Sequence, residues 1–71
     1  MKVGDMVSAA YSVDGHAGRR HIGIITHIEK REVLFSDKYA ITEMCTQVGV
    51  LVSGKIMTFE VEEDIIEVIN D

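Results

Sequence analysis

The sequence predicts a small all-β barrel of five or six short strands, with one short helical turn before the last strand. β-branched residues dominate the apolar segments, glycine or charged clusters bound them, and apolar spacing typical of helices is scarce. Short antiparallel strands with tight turns satisfy their backbone hydrogen bonds by curling into a barrel, which leaves few free edges. The chain has 71 residues, 46% of them hydrophobic, so we expect a single domain over residues 1–71.

Two strands are predicted in the N-terminal part of the chain. The first, Met6 to Tyr11, follows the turn signal Val3-Gly4-Asp5, and the second, Arg19 to Glu29, follows a glycine-bearing loop at 14–18. Alternation along the second strand puts four residues on the face that we expect to be the core: Ile22, Ile24, Thr26 and Ile28. The opposite face carries Ile25, which therefore points away from that core.

A hairpin and a final strand are predicted in the C-terminal part. Gln47 to Val52 and Lys55 to Val61 flank Ser53-Gly54, where glycine allows the positive φ of a primed turn. The acidic run at 62–64 interrupts the alternation, and we expect it to form the helical turn. The last short strand is then Ile65 to Ile69.

The segment Arg31 to Met44 admits two interpretations. A short strand is favoured for Val33 to Phe35. The residues that follow fit either a short helix with Ser36 as its N-cap or a further strand.

Three blocks of sequence carry a resemblance to a known fold. They are KVGDMV at 2–7, GIITHIE at 23–29 and VSGKIMTFEVEEDIIEVI at 52–69. Together they resemble SH3-like small β-barrels, and in particular small proteins of that type from tailed phages and marine viral sequences. The resemblance implies that the Gly-Asp turn starts the first strand and that the acidic turn leads into the last one. It transfers no ligand-binding residues, because those proteins often carry an aromatic residue before the hairpin turn, where this chain has Val52.

A basic segment offers a candidate anion or nucleic-acid contact. Four of the seven lysine and arginine residues lie between Gly18 and Arg31, namely Arg19, Arg20, Lys30 and Arg31. The two pairs stand at opposite ends of a strand, roughly 36 Å apart if it is extended, so they cannot form one phosphate pocket. A net charge of −5 also repels polyphosphate at long range. Nucleic-acid binding is therefore the alternative function, and solvated strand ends are the favoured interpretation.

No metal, cofactor or catalytic constellation is predicted. His21 and His27 share a face but lie about 20 Å apart along a straight strand, too far for one metal ion. Cys45 has no helix N-terminus or glycine-rich turn to activate a thiolate and fits a small buried hydrophobe better. Four carboxylates near the acidic run lack the ligand spacing of a calcium loop: Glu60, Glu62, Glu63 and Asp64. We expect a protein that is not an enzyme.

Apolar residues on both faces of the predicted strands indicate an association surface. A barrel of this size buries only one face of its sheet, and a chain with one cysteine has no internal disulfide to compensate. The candidate interface residues are Ile25, Leu51, Met57 and Phe59. We therefore expect a non-enzymatic interaction or structural module that forms a homo-oligomer, with a larger protein as a further candidate partner.

The N-terminal residues show no apolar signal core, and no uncharged run is long enough to span a membrane. We expect a cytoplasmic protein, in the cytoplasm of the host cell if it is viral.

Overall fold

The computed structural model describes residues 1–36, 38–39 and 41–69, with residues 33–36 described by their backbone alone. The all-β prediction is confirmed, but in the described residues the five-stranded sheet is not closed into a barrel. Seven strands are present: β1 (Met6–Ala10), β2 (Ser12–Val13), β3 (His16–Ala17), β4 (His21–Ser36), β5 (Ile41–Val52), β6 (Lys55–Glu60) and β7 (Ile65–Val68). Five of them form one antiparallel sheet in the order β6-β5-β4-β1-β7, and β2 pairs with β3 as a separate hairpin.

The hairpin at Ser53-Gly54 is confirmed, and both of its turn residues have positive φ, 48° at Ser53 and 81° at Gly54. The helical turn expected for the acidic run at 62–64 is not found in the described residues. A hydrogen-bonded turn takes its place, in which the Asp64 N–H donates to the Glu60 carbonyl at 2.7 Å. The Asp64 carboxylate accepts the Glu60 N–H at 2.9 Å, so a side chain closes the same turn a second time.

The strands β4 and β5 run well beyond the rest of the sheet. Residues 30–36 and 41–46 pair with each other, from Lys30 opposite Thr46 to Ser36 opposite Ile41, and we call them the two-stranded extension. The strand predicted at Val33 to Phe35 lies inside β4. Of the two interpretations for the residues that follow, the strand holds from Ile41 onward, because cross-strand pairing satisfies this backbone. The part that falls on Asp37 and Ala40 lies outside the described residues.

The core lies on one face of the sheet. Its fully buried residues are Val7, Ala9, Ile25, Val48, Val50 and Phe59, with Val52, Met57 and Ile66 packed against them. Every strand of the five-stranded sheet contributes to this cluster. It is a small core, as the length of the chain requires.

The predicted core face of the second strand is wrong. Ile25 is 1% exposed, whereas Ile22 and Ile24 are 62% and 45% exposed. The physical reason is Gly23, which shares the inner face with Ile25 at a point where the neighbouring strand comes very close. A Cβ on Gly23 would meet the Leu51 carbonyl oxygen and lie 2.7 Å from a methyl carbon of Val50. The inner face therefore needs glycine at this position, and the larger side chains face outward.

A β-bulge lies between Ile25 and His27, where the register with β5 shifts by one residue. Ile25 stays opposite the buried Val50, whereas His27 comes to lie opposite Gly49. Because a bulge changes which face the following residues occupy, His27 points to the outer face of the sheet.

Candidate interaction surface

Four large apolar side chains form a continuous row across the outer face of the sheet. Met6 on β1 pairs with Ile24 on β4, Ile24 pairs with Leu51 on β5, and Leu51 pairs with Ile56 on β6. Directly opposed residues in an antiparallel ladder point to the same face, with Cβ atoms about 5 Å apart. We call these four residues the apolar row.

Each member of the apolar row is roughly half exposed, at 47% for Met6, 45% for Ile24, 42% for Leu51 and 58% for Ile56. Two further exposed residues adjoin it. The first is Ile22, which lies two positions before Ile24 on the same face of β4. The second is Ile69, which lies beside Met6 because its N–H donates to the Met6 carbonyl at 2.7 Å. Together they make on the order of 500 Å² of contiguous apolar surface, which is near the top of the range for a monomeric domain.

The structure separates the four interface residues predicted from the sequence. Leu51 lies in the middle of the apolar row. Ile25 and Phe59 are instead fully buried in the core, and Met57 is partly buried against it, so none of these three belongs to the apolar row. The prediction of Ile25 and Phe59 as surface residues is wrong. Ile25 lies on the inner face of β4, and Phe59 on β6 lies opposite the buried Val48 and shares that inner face.

Sequence reasoning missed Met6, Ile24 and Ile56 as members of the surface. The missing information is the cross-strand register, which only the folded chain supplies. Gly23 and Gly49 could have indicated where neighbouring groups approach the strands, since glycine within a strand often marks such a close approach.

The basic residues do not form one patch. The Arg20 guanidinium donates to the Ser8 hydroxyl at 3.1 Å and to the Glu67 carboxylate at 3.3 Å, and Arg19 is exposed in the loop just before β4. Lys30 and Arg31 lie about ten residues further along the chain, in the two-stranded extension, and as consecutive residues of β4 they point to opposite faces. The Arg31 guanidinium lies 3.9 Å from the Glu29 carboxylate.

The histidines are likewise spread out. His16 lies in the β2–β3 hairpin, His21 pairs with Ala9 at the start of β4, and His27 lies over Gly49. Within the part of the chain that the structure describes, no three His, Cys, Asp or Glu side chains are grouped so as to hold a metal ion, and no pocket is present.

Cys45 lies opposite Arg31 in the extension and is partly exposed. Desolvation raises the pKa of its thiol, and the nearby carboxylates of Glu62 and Glu60 raise it further. Both effects disfavour the thiolate, which is the nucleophilic form. The environment of Cys45 is thus the reverse of the electropositive surroundings that activate a thiol.

The acidic turn has a structural use. The Glu62 carboxylate accepts the Thr46 N–H with both oxygens, at 2.9 and 3.0 Å, which lowers the pKa of Glu62. The Asp64 carboxylate also accepts the Ser12 N–H at 3.1 Å. The turn therefore connects the base of the extension to the β2–β3 hairpin.

The described residues contain no helix of the length and apolar character that a membrane crossing requires. A scan against protein-family models and searches of curated proteins and of solved structures find no match to this chain. The fold and the surface define the class of protein as an all-β domain with an apolar row across the outer face of its sheet.

Proposed function

We propose that this protein is a non-enzymatic interaction module that associates with a second copy of itself through the apolar row. We also propose that its fold is of the SH3-like barrel type, with the sheet open between β6 and β7. The pairing of the first strand with the last supports this fold, because β1 and β7 become neighbours only when the chain returns to its starting edge. The turn at 61–64 that leads into β7 supports it as well.

The observation that carries the proposal is the continuity of the apolar row. Single exposed apolar residues are normal on protein surfaces, but here directly paired residues follow one another across four neighbouring strands. Contiguous apolar surface of this kind, with polar residues around it, is typical of protein–protein contact sites.

The buried area favours a second copy as the partner. Two copies packed face to face would bury about 1,000 Å² through these side chains alone, which is the lower bound for a specific interface. A small domain without a disulfide also gains stability from such burial, because association stabilises the folded state by mass action. The same face can meet itself about a two-fold axis.

Salt provides one test of the proposal. Each copy carries a net charge of −5, so the copies repel each other, and added salt should screen this repulsion and strengthen self-association. Binding to nucleic acid through Arg19, Arg20, Lys30 and Arg31 would weaken with salt instead. Sedimentation velocity at low and moderate salt, with and without a short duplex DNA, distinguishes the two.

Substitution provides the second test. Leu51→Asp places a charge in the centre of the apolar row and should give a monomer. Val13→Asp is the matched control, because Val13 is exposed on β2, away from the row, and should leave association unchanged. A wild-type protein that stays monomeric at high concentration would overturn the proposal.

We further propose that the protein acts in the cytoplasm, that of the host cell if it is viral.

A further inference from the structure

We infer that protonation of His27 weakens this self-association, so that the interface responds to pH. The inference rests on the proposed function, because it concerns the regulation of the same surface. Histidine is the side chain whose charge ordinarily changes between pH 5 and 8.

The first step is the position of the His27 ring. The bulge after Ile25 turns His27 outward, and its ring occupies the space directly over Gly49. A Cβ on Gly49 would fall onto the ring atoms Cε1 and Nδ1 and lie 2.8 Å from Nε2. Gly49 and Leu51 are alternate residues of β5, so their outward positions are about 7 Å apart. A partner that covers Leu51 therefore also covers the imidazole.

The second step is the hydrogen bonding of the ring. The Thr26 hydroxyl donates to the Gly49 carbonyl at 3.2 Å, and its oxygen lies 3.1 Å from His27 Nδ1. Which of the two groups donates in the contact between Thr26 Oγ1 and His27 Nδ1 depends on the tautomer of the ring. The neutral ring carries one N–H in either tautomer. The protonated ring carries an N–H on both nitrogens, so it has one more donor that needs water or a new acceptor.

The third step is the cost of burying the charged form. An interface made by the apolar row removes water from the ring and offers aliphatic side chains in its place. Desolvation disfavours an imidazolium and leaves a neutral imidazole almost unaffected. The associated state therefore binds this proton less well than the free chain, and by linkage a lower pH favours dissociation.

The charged groups near His27 are of both signs, and in the described residues none forms an ion pair with its ring. On its own strand, Glu29 lies two residues further on, with Arg31 at 3.9 Å from its carboxylate. On β5 the neighbours Gln47 and Gly49 are uncharged, and on β6 the nearest charged residue is Glu60, opposite Gln47. Before β1, Asp5 accepts the Lys2 N–H at 2.9 Å. Loss of water from the ring on association therefore carries the inference, and not a fixed ion partner of His27.

The experiment is sedimentation velocity on the full chain at pH 7.5 and pH 5.5, at constant ionic strength. The wild-type dissociation constant should rise on the order of tenfold at the lower pH. His27→Gln should remove most of this rise, because glutamine is polar but does not ionise. His21→Gln is the matched control and should keep it, since His21 lies beside Ala9 at the start of β4 and not over Gly49.

The possible outcomes separate the two proposals. Association that is equally strong at both pH values, or a pH effect that persists in His27→Gln, overturns the inference and leaves the proposed function standing. Absence of self-association at both pH values overturns both. Loss of the effect in His27→Gln alone supports both.

Discussion

Ile24 and Ile25 are consecutive residues of β4 with opposite surroundings: Ile24 is 45% exposed in the apolar row, and Ile25 is 1% exposed in the core. The same residue type therefore has two roles at adjacent positions. The outer residue is available to a partner, and the inner one holds the sheet together. This contrast gives the first prediction.

Ile25→Ala should destabilise the fold by about 3 kcal/mol, because it removes buried methyl groups and leaves a cavity among Val7, Val50 and Phe59. Ile24→Ala should change the free energy of unfolding of the free chain by less than about 0.5 kcal/mol. Urea denaturation at low protein concentration measures both. Equal losses for the two variants would contradict the assignment of the inner face.

Gly23→Ala should destabilise the fold by about 2 kcal/mol, since the added methyl group must displace the backbone of Leu51 or the side chain of Val50. Gly15→Ala provides a comparison of another kind. Gly15 has a φ of 79° but open space around its Cβ position, so the cost there comes from backbone strain and not from a steric clash. Thermal unfolding followed by circular dichroism compares the two. A stable Gly23→Ala variant would mean that β4 and β5 do not approach as closely as described.

Stability should fall at acid pH as Glu62 loses its charge. The pKa of Glu62 is lowered in the fold because its carboxylate accepts the Thr46 N–H. Its contribution is therefore complete above the unfolded pKa of about 4.5 and is lost as the pH falls through the lower pKa of the folded state. Glu62→Gln should reduce stability at pH 7 and flatten the dependence below pH 4.5. Urea midpoints from pH 2 to pH 7 for both proteins measure this, and Glu63→Gln serves as the neighbouring control.

The sequence predicted much of the secondary structure, because β-branched runs and turn residues are local signals. The hairpin at Ser53-Gly54 and the strands near β1, β4 and β7 are examples. The face assignment of β4 failed for a non-local reason. Three isoleucines and Thr26 at alternate positions favoured one face, but the close approach of β5 at Gly23 allows the chain to bury only the other.

The apolar row could not be predicted for the same reason. It consists of residues from four strands, and their alignment depends on registers and on the bulge at Thr26. Only Leu51 was identified from the sequence, because apolar residues surround it in its own segment. Likewise, the turn at 61–64 is fixed by side-chain acceptors on Glu62 and Asp64, whose partners are distant in sequence.

The most direct test of self-association through the apolar row is methyl NMR of isotope-labelled isoleucine and leucine over a range of protein concentrations. We expect concentration-dependent shifts at the methyl groups of Ile24, Leu51 and Ile56, and none at Ile41, which is exposed in the two-stranded extension. Shifts that are absent from these three residues at every concentration, or that centre on Ile41, would contradict the account.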